Sequence, residues 1–194
     1  MADRLGTDRT NALMLVAAMV ALMWATEIVD SIGFGNLDRH GIQPRDADGL
    51  AQIVAAPFLH VGFGHLISNT LPFLVLGATI ALGGLARIAL VTLVVALVSG
   101  VGTWLVAPEG SVHLGASGVV FGYATYLVTR GLFSRRLVDL GVGAIIAGVW
   151  GIVLLQGVLP QARISWQAHL FGALGGVVAA SLLSQRRVAA KGGR

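Results

Sequence analysis

The sequence predicts an all-α membrane protein, a six-helix transmembrane bundle with both termini on the inner side (N-in/C-in). Three observations carry the prediction. Of 194 residues, 56% are hydrophobic and 11% charged, where a soluble domain carries about 25% charged residues. Six apolar stretches approach the roughly 20 residues that cross a hydrocarbon core. The basic residues also collect at alternate loops, the bias that orients such bundles. The apolar runs are continuous and lack the two-residue alternation of barrel strands.

Residues 1–10 are polar, contain Arg4 and Arg9, and are expected to form a cytoplasmic segment. The first apolar run, 11–32, is longer than a signal peptide and has no clean small-residue cleavage site, so it is expected to be retained as a helix. The connection 33–63 is the one long loop, on the outer side. Within it, Asp46-Ala47-Asp48-Gly49 leads into Leu50 to Ala56 and stops at Pro57. A cap, a short apolar run and a proline stop predict a short amphipathic helix at the interface. The remaining spans are expected at 64–82, 86–107, 115–133, 137–158 and 166–184, so that 11–184 is one membrane domain. The basic end, 185–194, is expected to be a disordered cytoplasmic tail.

With the N-terminus inside, the inner segments carry Arg4, Arg9, Arg87, Arg130, Arg135, Arg136, Arg186, Arg187, Lys191 and Arg194. The outer segments carry Arg39, Arg45 and Arg163. This asymmetry sets the predicted orientation. It puts the loop before Ser117, which holds Glu109 and no Lys or Arg, on the outer side. The net charge of +4 is spread over loop ends with no basic face, so nucleic acid is not an expected partner. There is no cysteine, which removes disulfides, thiolate metal sites and a cysteine nucleophile. No histidine pair has HExxH spacing, and neither a metal nor a cofactor is expected.

The chemistry is expected around Ser111-Val112-His113-Leu114-Gly115-Ala116-Ser117-Gly118. Here a glycine-studded loop enters an apolar helix, with Ser117 at the junction. Helix N-termini offer free N–H groups and a positive dipole end, which suit an oxyanion. A serine hydroxyl needs a base before it attacks. His169 is the candidate, because a histidine inside an apolar helix is costly unless it is paired or faces a cavity. Ala168, Gly172, Gly176 and Ala180 are four residues apart and make one smooth helix face; Gly118 and Gly122 make another. Two such faces allow close backbone approach, which would bring Ser117 and His169 together. His65 and Asn69, also four apart, share a helix face and can donate to an oxyanion. The bland alternative for this pair is a polar cluster locking helices together. His60 cannot share that face and is expected to tie down a loop. Glu27 and Asp30 are expected to face interfacial water. Asp139 is expected to pair with Arg135 on the inner surface.

Together the motifs His60-x4-His65-x3-Asn69, Gly115-x-Ser117-Gly118 and Ala168-His169-x2-Gly172-x3-Gly176 resemble those of the rhomboid intramembrane serine proteases. The resemblance covers nearly the whole chain. It implies a Ser117–His169 dyad without an acid, with Ser117 as nucleophile and His169 as general base and then general acid. It implies an oxyanion hole formed by His65, Asn69 and the Ser117 amide. Gly115 and Gly118 would shape the turn, and Gly172 and Gly176 the helix contact. It implies transmembrane proteins in a lipid bilayer as substrates, cleaved near the outer face, and a multi-pass location in a bacterial cytoplasmic membrane. Two positions depart from the pattern. Phe121 stands where many relatives have a tyrosine packed on the base, and the first loop has Arg39 and Arg45 without the family's tryptophan. The alternative is a catalytically inactive rhomboid-like membrane-binding module.

Overall fold

The computed structural model describes residues 2–33, 36–161 and 164–192. Met1, Arg163 and Arg194 lie outside the described residues. Among the described residues, seven α-helices follow one another: α1 (Ala2–Ser31), α2 (Asp48–Ala55), α3 (Gly62–Ala81), α4 (Leu85–Val106), α5 (Ser117–Ser134), α6 (Leu137–Gly157) and α7 (Trp166–Gly192). Short 3-10 turns lie at Leu37–His40 and Ala56–Phe58. The described residues contain no strand, only one antiparallel bridge between Ile42 and His113.

Among the described residues, five helices are long and apolar enough to cross a membrane: Leu5–Ser31, Gly62–Ala81, Leu85–Val106, Leu137–Gly157 and Trp166–Ser184. Their outer faces carry bare aliphatic side chains such as Leu71, Ile145, Ile152 and Leu155, as a surface dissolved in lipid requires. α5 is not among the five. Its serines, threonines, tyrosines and Arg130 dilute its apolarity. It needs less apolar surface because it is enclosed by other helices. Gly118 through Ala124 are all buried, and Tyr123 and Tyr126 are among the largest fully buried side chains.

α5 packs on α7 along the predicted glycine faces. A Cβ at Gly172 would overlap the Gly118 carbonyl, and one at Gly176 the Gly122 carbonyl. The backbones therefore touch where only hydrogen fits, which is the route to strong dispersion contact in lipid. Thr125 adds an interhelical bond, its Oγ1 donating to the Ala173 carbonyl at 2.8 Å. α4 covers the other side of α7. Phe171 lies against Gly102, and Ser99 Oγ donates to the Ala168 carbonyl at 2.8 Å. α6 packs chiefly on α5, with Gly143 against the Leu127 and Val128 carbonyls.

Several local expectations are corrected. α1 begins at Ala2 and α7 continues to Gly192, so both helices run on beyond the predicted spans 11–32 and 166–184. Glu27 is 4% exposed and does not face water. Asp139 is also buried and pairs with Arg130 at 2.9 Å rather than with Arg135. Arg135 leaves α5 in the left-handed conformation, which takes it off the helical four-residue spacing.

Candidate active site

Ser117 is the first residue of α5. The loop reaches it through Gly115, whose φ of +112° is open to glycine and strained for other residues. A Cβ there would also strike the His65 imidazole. The loop is held from beneath by the Gly115 N–H, which donates to the Ala56 carbonyl at 2.8 Å. From above it is held by the bridge in which Ile42 N–H donates to His113 O at 2.7 Å. As the first residue of its helix, Ser117 has no carbonyl one turn behind, so its N–H has no intrahelical partner.

His169 sits in the first turn of α7, carried to Ser117 by the Gly118–Gly172 contact. Its Nε2 lies 2.8 Å from Ser117 Oγ. Its Nδ1 lies 2.9 Å from the Gly157 carbonyl, at the end of α6. A carbonyl can only accept, so Nδ1 carries the proton, and Nε2 presents a lone pair to the serine hydroxyl. No carboxylate is needed to fix this tautomer. Phe121 lies face to face with the imidazole, with ring centroids 4.1 Å apart and planes 9° apart. Stacking survives the exchange of tyrosine for phenylalanine, and it holds the ring against rotation. His169 is 8% exposed.

His65, Asn69, Ser117 and His169 all line one open cavity of about 820 Å³, together with His113 and Ser165. Asn69 is buried and donates through Nδ2 to the His65 carbonyl at 2.9 Å. That amide has two hydrogens, so one remains for a ligand. Ser68 donates to the same carbonyl at 2.8 Å. His65, Asn69, Ser117 and His169 thus converge, from the N-terminal half of α3 and the first turns of α5 and α7, at one end of the bundle.

His60 stands outside the cavity, 1% exposed, with its Nε2 accepting from the Ala116 N–H at 3.3 Å. It ties the loop before α5 to the chain before α3. Burial first, and His65 beside it second, push its pKa down to about 4. Burial also lowers His113, which bridges Ser111 and Ser165 at 2.8 and 2.7 Å. The unfolded histidines hold protons that the folded ones refuse. The stability that depends on these neutral histidines is therefore fully present above about pH 6.5 and declines as pH falls toward about 4. The thermal midpoint in detergent should drop across that window. In His60→Gln, whose amide can still accept from Ala116, the drop should be smaller; an identical drop would contradict this role for His60.

Sequence reasoning did not find three supports. Gly157 contributes only a carbonyl, and Ser99 holds the Ala168 carbonyl next to the base. Arg45 ties the loop before α2 to the end of α4. It bonds to Glu109 at 2.8 Å and to the Leu105 carbonyl at 3.0 Å, while Trp104 of α4 donates to the Asp46 carbonyl at 2.7 Å. The tryptophan and arginine thus come from different segments, a pairing that no local motif displays.

Fold and site define a multi-pass membrane protein with a serine–histidine pair in a polar cavity at one end of its helical bundle. Residues 47–186 match the Rhomboid domain family. The chain is 41% identical over 178 residues to "Uncharacterized protein Rv1337" of Mycobacterium tuberculosis, covering 87% of this chain and 74% of that one. A Mycobacterium leprae protein, "Uncharacterized protein ML1171", is 42% identical over 178 residues, covering 87% and 70%. The "Putative rhomboid protease YdcA" of Bacillus subtilis is 30% identical over 137 residues, covering 70% and 68%. The chain belongs to the rhomboid family, and that membership points to intramembrane serine proteolysis.

Proposed function

We propose that this protein is an intramembrane serine endopeptidase that cleaves transmembrane segments near the outer face through Ser117 and His169. The observation that carries the reading is the 2.8 Å contact between His169 Nε2 and Ser117 Oγ inside a cavity wide enough for a peptide and water. Ser117 donates its proton to Nε2 as Oγ attacks the scissile carbonyl. The Gly157 carbonyl steadies the imidazolium that forms. The oxyanion meets the Ser117 N–H, the remaining Asn69 hydrogen and His65. His169 then protonates the leaving amine, and a water activated by the same imidazole hydrolyses the acyl-enzyme. A helical substrate hides its amides in its own hydrogen bonds. Good substrates therefore carry Gly or Pro near the outer interface, where local unwinding costs least.

The same reading counts α5 with the five long apolar helices, giving six spans. The bundle end with the start of α1, the α3–α4 turn and the α5–α6 turn holds Arg9, Arg87, Arg130, Arg135 and Arg136. By the positive-inside bias this end faces the cytoplasm and the cavity faces outward. The protein is assigned to a bacterial cytoplasmic membrane, in keeping with its bacterial relatives. Residues 11–184 act as the membrane core, and 1–10 and 185–194 extend it on the cytoplasmic side.

The test is proteolysis by the purified protein of a single-span substrate with Gly or Pro near its outer end, with products identified by mass. Cleavage within a few residues of that weak point is expected; cleavage confined to soluble loops, or none, would contradict the proposal. Asn69→Ala should lower kcat by about 10²-fold, with KM little changed, because an oxyanion donor acts mainly in the transition state. An unchanged kcat would return Asn69 to a packing role.

A further inference from the structure

At the end of the bundle away from Ser117, a second cavity of about 380 Å³ opens among the starts of α1, α4 and α6 and the last turns of α3 and α5. Four arginines line it: Arg9, Arg87, Arg130 and Arg136. Two carboxylates also line it, and both are engaged with the protein. Asp8 accepts from the Leu85 N–H at 3.3 Å, capping α4. Asp139 takes Arg130 at 2.9 Å and the Ser134 hydroxyl at 2.8 Å. Four positive charges against two negative leave a net positive hollow. Arg87 lies along Gly83 at its wall: a Cβ on Gly83 would fall 2.6 Å from the Arg87 Cδ and Nη1 atoms. Apart from Thr79, Gly83 and Gly84 the rest of the lining is aliphatic, and it runs out into bare surface at Leu82 (58% exposed) and Val138 (72% exposed).

Cationic head and greasy wall meet where helices that span a membrane end, which is the depth of a phosphate headgroup. We infer that this cavity is a binding site for an anionic phospholipid, its phosphate among Arg87, Arg136 and Arg9 and its acyl chains along Leu82 and Val138. Free phosphate would use the arginines but not the apolar wall. A zwitterionic lipid would use the wall but carries its own cation to the arginines. Basic hollows between membrane helices select anionic headgroups in this way. The lipid would touch α1, α3, α4, α5 and α6. The inference rests on membrane embedding and not on the protease reading, and its test uses no proteolysis.

The detergent-solubilised protein is offered equal amounts of phosphatidylglycerol and phosphatidylcholine with the same acyl chains, and bound lipid is counted by native mass spectrometry. Phosphatidylglycerol should be retained over phosphatidylcholine by about thirtyfold, the scale of two arginines at a headgroup. Arg87→Gln with Arg136→Gln should bring the two lipids level. Arg39→Gln, at the other end of the bundle, should leave the preference intact. Equal retention by the wild type, which requires no variant to fold, would overturn the inference. So would a preference that survives the double substitution, or one lost equally in Arg39→Gln. Displacement of the lipid by an equal concentration of glycerol phosphate would show an anion site without lipid, and would also overturn it.

Discussion

Ser117→Ala is expected to lower peptide-bond cleavage by about 10⁴-fold or more, and His169→Ala to do nearly the same. The double variant should be scarcely worse than either single one. In the proposed mechanism hydroxyl and imidazole would work as one unit: at 2.8 Å the imidazole is placed to take the serine proton, and neither would be useful without the other. Additive losses would mean that the two act separately. Ser117→Ala removes one atom from a cavity wall, so its thermal midpoint should move little; His169→Ala also strips the buried stack on Phe121 and should lower the midpoint. Turnover and unfolding, measured on the same preparations, separate lost chemistry from lost fold.

Gly172→Ala should be the most damaging single-methyl change in the membrane region. Its new Cβ would press on the Gly118 carbonyl, a backbone atom that cannot turn aside as a side chain can. Overpacking of this kind costs about 1–3 kcal/mol. It would also pry α7 from α5 and widen the Ser117–His169 gap, so activity should fall further than stability. Gly148→Ala is the matched control. Nothing lies within 4 Å of a Cβ there, and alanine is the better helix former by about 1 kcal/mol. It should be neutral or slightly stabilising. Equal effects at the two sites, read by thermal unfolding and turnover, would contradict the close α5–α7 contact.

The contrast between these glycines shows what the sequence displays and what it hides. Gly172 and Gly176 announce themselves by four-residue spacing on a face shared with Ala168 and Ala180, because a helix converts spacing into a surface. Ser117 and His169 are visible because polar groups in apolar runs are expensive and demand a reason. The Gly157 carbonyl that orients His169 leaves no trace in residue type, since every residue offers a carbonyl. Glu27 and Asp139 look like interface charges, and their burial is decided by neighbours from other helices. Arg45 and Trp104 are distant in sequence and join only once α4 and the outer loop are side by side. α5 falls short of the apolarity of the other spans because hydropathy reports contact with lipid, and α5 meets mostly protein. The helical ends at 2–10 and 185–192 escape a hydropathy reading for the opposite reason, since helices can outrun the lipid that defines a span.

The most direct measurement is labelling of the purified protein in detergent by a fluorophosphonate, in which an activated serine displaces fluoride and keeps the phosphonyl group. Wild type should be labelled at Ser117, His169→Ala far more slowly, and Ser117→Ala not at all. A wild type that takes no label, or a label that persists in Ser117→Ala, would contradict a nucleophilic serine and leave a rhomboid fold that binds membrane proteins without cutting them.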